Sequence, residues 1–149
     1  MSIQVNFQGS GGGFVPPINF TSLLYSVTFI SNTQVLQLAS NPVTLIPAVG
    51  NFLIFPIQII ANIDKITVPY QTNGNLSIYF PTANKGLYYK LGSDFLFSTS
   101  HSNTNMPFDP TTINQLQYKA AEPLMLTTEF GNPTNGDGEL IIAILYALV

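Results

Sequence analysis

The chain has 149 residues, of which 46% are apolar and only 7% charged, with four lysines, no arginine, no cysteine and a formal net charge of −3. Four cations cannot neutralise a run of phosphates, which argues against nucleic-acid binding, and the lack of cysteine removes disulfides, thiol catalysis and thiolate metal sites. A surface this poor in charge is expected to meet other protein over much of its area, with Asn, Gln, Ser and Thr supplying polarity at a lower desolvation cost than charge.

Residues 1–20 read differently from the rest. "QGSGGGFVPPINF" combines a glycine run with a Pro-Pro step, which predicts an extended or flexible N-terminal arm rather than core. No signal-peptide pattern is expected in it. Residues 21–149 are expected to form one domain. From Thr21 the pattern has period two: Leu23, Tyr25, Val27 and Phe29 alternate with smaller or polar residues, the mark of a half-buried strand. "SNT" at Ser31 and "SNP" at Ser40 read as turns.

Val43–Ile63 is long and apolar enough to raise the question of a membrane span. Pro47, Gly50, Asn51, Pro56, Gln58 and Asn62 interrupt it, and no basic residue precedes it, so a turn followed by a long buried strand is expected and no membrane is invoked. Along that strand Leu53, Phe55, Ile57, Ile59, Ala61 and Ile63 would form an apolar face, opposite a mixed face of Phe52, Ile54, Pro56, Gln58, Ile60 and Asn62. Pro56 lacks an N–H and therefore predicts a sheet edge or a bulge.

Further alternating runs occur at Leu76–Phe80, Leu87–Leu91 and Leu124–Thr128, separated by turn residues such as "TNGN" and "TANKG". The spacing of these turns is that of an all-β sandwich or barrel. The best helix candidate is one turn at Pro110–Asn114. The closing segment, "GNPTNGDGELIIAILYALV", sets a turn cluster before a strand that is apolar on both faces: Leu140, Ile142, Ile144, Tyr146 and Leu148 on one, Ile141, Ala143, Leu145, Ala147 and Val149 on the other. A free antiparallel sandwich strand normally keeps one wet face. The second face is therefore assigned to an oligomer contact, made by Ile141, Leu145, Tyr146 and Val149 together with Phe52 and Ile54.

The sequence offers little chemistry. His101 is the only histidine and is expected in a polar loop, "STSHSNTN", so no base is set beside a nucleophile. One histidine without cysteine is too few for zinc. Glu122, Glu129, Asp137 and Glu139 form the densest acidic set, but each sits where a solvated carboxylate is normal. Asn132, Asn135, Asp137 and Glu139 could offer oxygens to calcium, yet their spacing does not match a calcium loop, and the Asn-Gly and Asp-Gly steps read first as positive-φ turns. No catalytic, cofactor or metal residues are assigned, and no enzyme activity is expected.

Three segments carry a resemblance: "NPVTLIPAVGNFLIFPIQIIANI" at Asn41–Ile63, "YQTNGNLSIYF" at Tyr70–Phe80 and "EPLMLTTEFGNPTNGDGELIIAILYALV" at Glu122–Val149. In this order they resemble the jelly-roll-like capsid decoration, or cement, proteins of tailed bacteriophages, over about half the chain. The resemblance implies an all-β, jelly-roll-like antiparallel sandwich with an extended N-terminal arm. It also implies a homotrimer seated on a virion's capsid surface in contact with the major capsid protein. The arm read from residues 1–20 would make the capsid contact through Phe7, Phe14, Val15, Pro16 and Pro17. The competing expectation is a lectin-like head of a fibre or spike, binding glycans through Tyr88, Tyr89 and loop asparagines.

Overall fold

The computed structural model describes residues 3–5, 18–20, 23–64, 67–71, 74–81, 86–97, 102–107 and 121–149, with backbone alone described for 3–5, 18–20, 86–88 and 102–107. Two short strands, β1 (Ile3–Val5) and β2 (Ile18–Phe20), pair antiparallel with each other. The strands that follow are β3 (Leu23–Ile30), β4 (Val43–Ile46), β5 (Ile54–Asp64), β6 (Leu76–Phe80), β7 (Gly86–Leu91), β8 (Ser102–Pro107), β9 (Leu124–Thr128) and β10 (Glu139–Leu148). They form two four-stranded antiparallel sheets, in the orders β3-β10-β5-β8 and β4-β9-β6-β7. The pairing is nested: β3 with β10, β4 with β9, β5 with β8 and β6 with β7.

The two sheets enclose one core, to which the first contributes Ile30, Ile59, Ile63, Leu140, Ile142 and Ile144, and the second Leu45, Ile46, Leu76, Ile78, Leu124 and Leu126. The alternation in β6 and β9 thus does what period two predicts, sending Leu76, Ile78 and Phe80 inward with Leu124 and Leu126. The chain is an antiparallel β-sandwich. The candidate membrane segment is β4, a turn and β5, and among the described residues no helix is long and apolar enough to cross a bilayer.

The "SNT" turn is in fact a one-turn helix, α1 (Asn32–Val35). Ser31 caps it by accepting from the Gln34 amide, and the Gln34 side chain accepts from the Ser31 amide at 3.0 Å, so both backbone donors are satisfied reciprocally. Val35 and Leu38 plug the end of the core behind it. The helix candidate at Pro110–Asn114 lies outside the described residues.

β5 departs from strict alternation. Leu145 pairs with Gln58 but Tyr146 pairs with Pro56, which leaves Ile57 as an extra residue in a bulge beside the proline. Among the described residues β8 pairs with β5 only from Gln58 to Ile63, so Pro56 sits at a bulge facing β10 and beyond the end of the β8 pairing. The bulge also exchanges the faces: Ile54 joins Ile59, Ala61 and Ile63 in the core, and Phe55 moves to the opposite side. The single apolar face expected from Leu53 to Ile63 is therefore split at Ile57.

Candidate assembly interface

β10 sits in the middle of its sheet, between β3 and β5. Its even-numbered row faces the core: Leu140, Ile142 and Ile144 are buried, with Tyr146 and Leu148 packed against them. Its odd-numbered row faces outward. The register places Ile141 opposite Phe29, Ala143 opposite Val27, Leu145 opposite Tyr25 and Ala147 opposite Leu23. Directly paired residues share a face, so Leu23, Tyr25, Val27 and Phe29 also point outward. They are exposed, Phe29 at 72% and Tyr25 at 64%.

This reverses the polarity expected of β3. The apolar row faces water and the row Leu24, Ser26, Thr28 and Ile30 faces inward. The reason lies across the sandwich edge. The hydroxyls of Ser26 and Thr28 both donate to the Leu45 carbonyl of β4, at 3.2 and 3.3 Å. A half-buried carbonyl without such donors would cost about 1–3 kcal/mol, so this corner of the sandwich favours hydroxyls over aliphatic side chains.

The outer face changes character across the sheet. On β3 and on β10 from Ile141 to Ala147 it is apolar, with Glu139 at the head of the same β10 row, whereas the facing β5 positions run Asp64, Asn62, Ile60, Gln58 and, past the bulge, Phe55. Ala143 and Ala147 are buried on this side, as is Phe55 opposite Ala147. The outcome is an apolar strip over Leu23–Phe29 and Ile141–Ala147, bounded at one end by Glu139. β3 is also an edge strand whose only partner among the described residues is β10. It carries no lysine and no proline, the usual guards of an exposed edge.

The residues assigned to an oligomer contact from sequence divide into two groups. Ile141 and Leu145 lie in the strip, half-buried. Val149 and Phe52 are exposed where β10 ends and Leu53 and Val149 exchange backbone hydrogen bonds at 2.9 and 3.0 Å. Ile54 and Tyr146 lie elsewhere: Ile54 is fully buried, and Tyr146, half-buried, sits on the core-facing row, because the bulge at Ile57 and the parity of β10 turn both inward. The sequence reading missed Leu23, Tyr25, Val27 and Phe29. The available signal was that their alternating partners include Ser26 and Thr28 with no charge on either row, which leaves the inward side undetermined. The proposed arm contacts Phe7, Phe14, Val15, Pro16 and Pro17 lie outside the described residues, as does His101.

The acidic and loop residues serve structure. The Asp137 carboxylate accepts from the Thr67 and Val68 amides, both at 2.8 Å, and from the Thr67 hydroxyl, and those bonds hold its pKa below the ordinary carboxylate value. Asn132 Oδ1 accepts from the Ala39 and Ser40 amides at 2.8 and 3.1 Å. Thr134 and Gln71 exchange backbone hydrogen bonds at 2.8 Å. The "NPTNGDG" segment is thus a hub that ties two other loops to β10. Asn135 and Gly136 do take the positive φ expected of an Asn-Gly turn, at 54° and 83°. No three His, Cys, Asp or Glu residues converge on a metal position among the described residues. Tyr89 is half-buried with part of its side chain packed against the core, and the side chain of Tyr88 is outside the described set. Comparisons with family models, curated proteins and solved structures found no match to this chain.

Proposed function

We propose that the chain is a structural virion protein of the capsid decoration, or cement, class. It is read as a jelly-roll sandwich that associates as a homotrimer on the outer surface of a capsid shell and braces the major capsid protein. The observation that carries this reading is the outward strip of Leu23, Tyr25, Val27 and Phe29 beside Ile141 and Leu145. A contiguous apolar strip of this kind marks a contact surface when it stands on a soluble domain. Charge depletion fits the same use, since interface cores are poor in charged residues.

The nested strand pairing supports the jelly-roll reading, because two interlocked four-stranded sheets arise when one long antiparallel ribbon is rolled up. Closed threefold symmetry would bury the strip without leaving an open end for fibre growth. Residues 1–20 precede the edge strand β3, so an arm from them starts beside the proposed contact.

Sedimentation equilibrium at micromolar concentration tests the association: a mass three times that of the chain is expected, and a monomer overturns it. Co-sedimentation with capsid shells tests the partner. Chain that stays in the supernatant while still trimeric would retain the assembly and remove the capsid.

A further inference from the structure

The opposite face of the sandwich carries a different feature. On the outer side of the β4-β9-β6-β7 sheet lies a groove of about 510 Å³, bounded by Ala39 and Pro42 on one side and by Phe130 and Glu129 at the end of β9. Its floor contains Ser77, Tyr79 and Thr127. The register sets Lys90, Ser77 and Thr127 in one row across three strands.

Phe130 is 88% exposed and has a φ of 59°, a left-handed backbone that an aromatic residue rarely adopts. Neither property stabilises the isolated domain. A strained, exposed aromatic at the lip of a groove is the kind of outlier that points to a contact made there. On the floor, burial raises the Tyr79 phenol pKa.

The polar end of the groove is electrically balanced. Lys90 Nζ lies 2.8 Å from Glu129 Oε1, and Glu129 also accepts from Asn75 Nδ2 at 2.8 Å and from Ser77 Oγ at 3.1 Å. Carboxylate and ammonium cancel, so nothing selects a charged ligand. The Ser77 and Thr127 protons already go to Glu129 and to the Leu38 carbonyl, at 3.1 and 3.0 Å, so an apolar side chain seated here would strip water from the Tyr79 hydroxyl and the Thr127 oxygen and return no hydrogen bond. A ring bearing both hydroxyls and C–H faces satisfies each part: hydroxyls toward the floor, C–H bonds against an aromatic ring. The volume lies within the usual range for small-ligand sites, about 300–1,000 Å³.

We propose that this groove binds a neutral saccharide, with Phe130 as the stacking surface, the Tyr79 hydroxyl as the principal hydrogen-bonding group and the Thr127 oxygen as an acceptor. The site is on the face remote from the apolar strip, so it neither requires nor blocks assembly through β3 and β10.

Saturation-transfer NMR with lactose, maltose and N,N′-diacetylchitobiose at millimolar concentration tests it on the full chain. Transfer to at least one disaccharide is expected. Phe130→Asn, which suits a left-handed backbone, should weaken it about ten-fold, and Tyr79→Phe about three-fold. Neither variant should lower the melting temperature or change the sedimentation mass. No transfer from any of the three sugars, or transfer unaltered by Phe130→Asn, overturns the proposal. Loss of trimer mass or of shell binding in Phe130→Asn, with no saccharide signal, assigns the groove to a protein contact and overturns it equally.

Discussion

Tyr70 and Gly136 occupy one another's space: a Cβ on Gly136 would overlap the Tyr70 ring, whose hydroxyl donates to the carbonyl of Gly138. Tyr70 is fully buried, and the turn that feeds β10 folds over it. Gly136→Ala brings both a steric clash and a φ of 83° that alanine resists. A loss of about 2–4 kcal/mol is expected in urea unfolding. Wild-type stability in the variant would show that the turn relaxes freely.

The same contact makes the protein sensitive to alkali. Burial, then the nearby charges of Asp137 and Glu139, push the Tyr70 phenol from 10.0 up to about 12. A pKa raised by folding means that the unfolded chain releases its proton first. The stabilisation is complete below about pH 10 and is lost as the pH rises through about 12. The alkaline unfolding midpoint of Tyr70→Phe should therefore differ from wild type, with no difference between them in the slope of stability near neutral pH.

Acid acts on the other side of the same loop hub. Asp137 and Glu129 both have lowered pKa values, Asp137 through its bonds from Thr67 and Val68, Glu129 chiefly through Lys90. Their contributions are present above the unfolded carboxylate range and disappear as the pH falls through the folded values. Asp137→Ala should speed hydrogen exchange at the Thr67 and Val68 amides while leaving β5 and β10 protected. Unchanged exchange at those two amides would remove Asp137 from its capping role.

The outward strip predicts a separation of fold from assembly. Tyr25→Ser with Phe29→Ser changes only exposed side chains, so monomer stability should move by less than about 1 kcal/mol. The sedimentation mass should fall to that of one chain. By contrast, Ile142→Ala opens a cavity between the sheets and should cost about 2–5 kcal/mol. A trimer that survives both serines would place its contact elsewhere.

Phe130 predicts a gain. Releasing a bulky residue from left-handed backbone removes strain of about 1 kcal/mol, so Phe130→Gly should raise the melting temperature. A drop would mean that the exposed ring supports the fold in a way its surroundings do not suggest.

The strands themselves were legible in the sequence. Period-two alternation marked β3, β6, β7 and β9, a long apolar face marked β5, a run apolar on both faces marked β10, the Asn135-Gly136 step marked a positive-φ turn, and Pro56 marked an edge or a bulge; β8, which overlaps the run read as a polar loop, was not read as a strand. The capping box over Ser31–Gln34 was also written there, in the Ser-x-x-Gln spacing, though "SNT" reads more readily as a turn. The groove on the second sheet was not legible, because it unites Ala39, Ser77 and Phe130 from three separate stretches of chain.

Alternation says that the two faces of a strand differ; it does not say which one the sandwich closes on. That parity was decided by tertiary contacts. The Leu45 carbonyl drew Ser26 and Thr28 inward and sent Leu23, Tyr25, Val27 and Phe29 out, and an extra residue at Ile57 carried Ile54 into the core. Composition by itself determined that this chain has too little charge to cover its surface; the closing of the two sheets decided where that shortage is exposed.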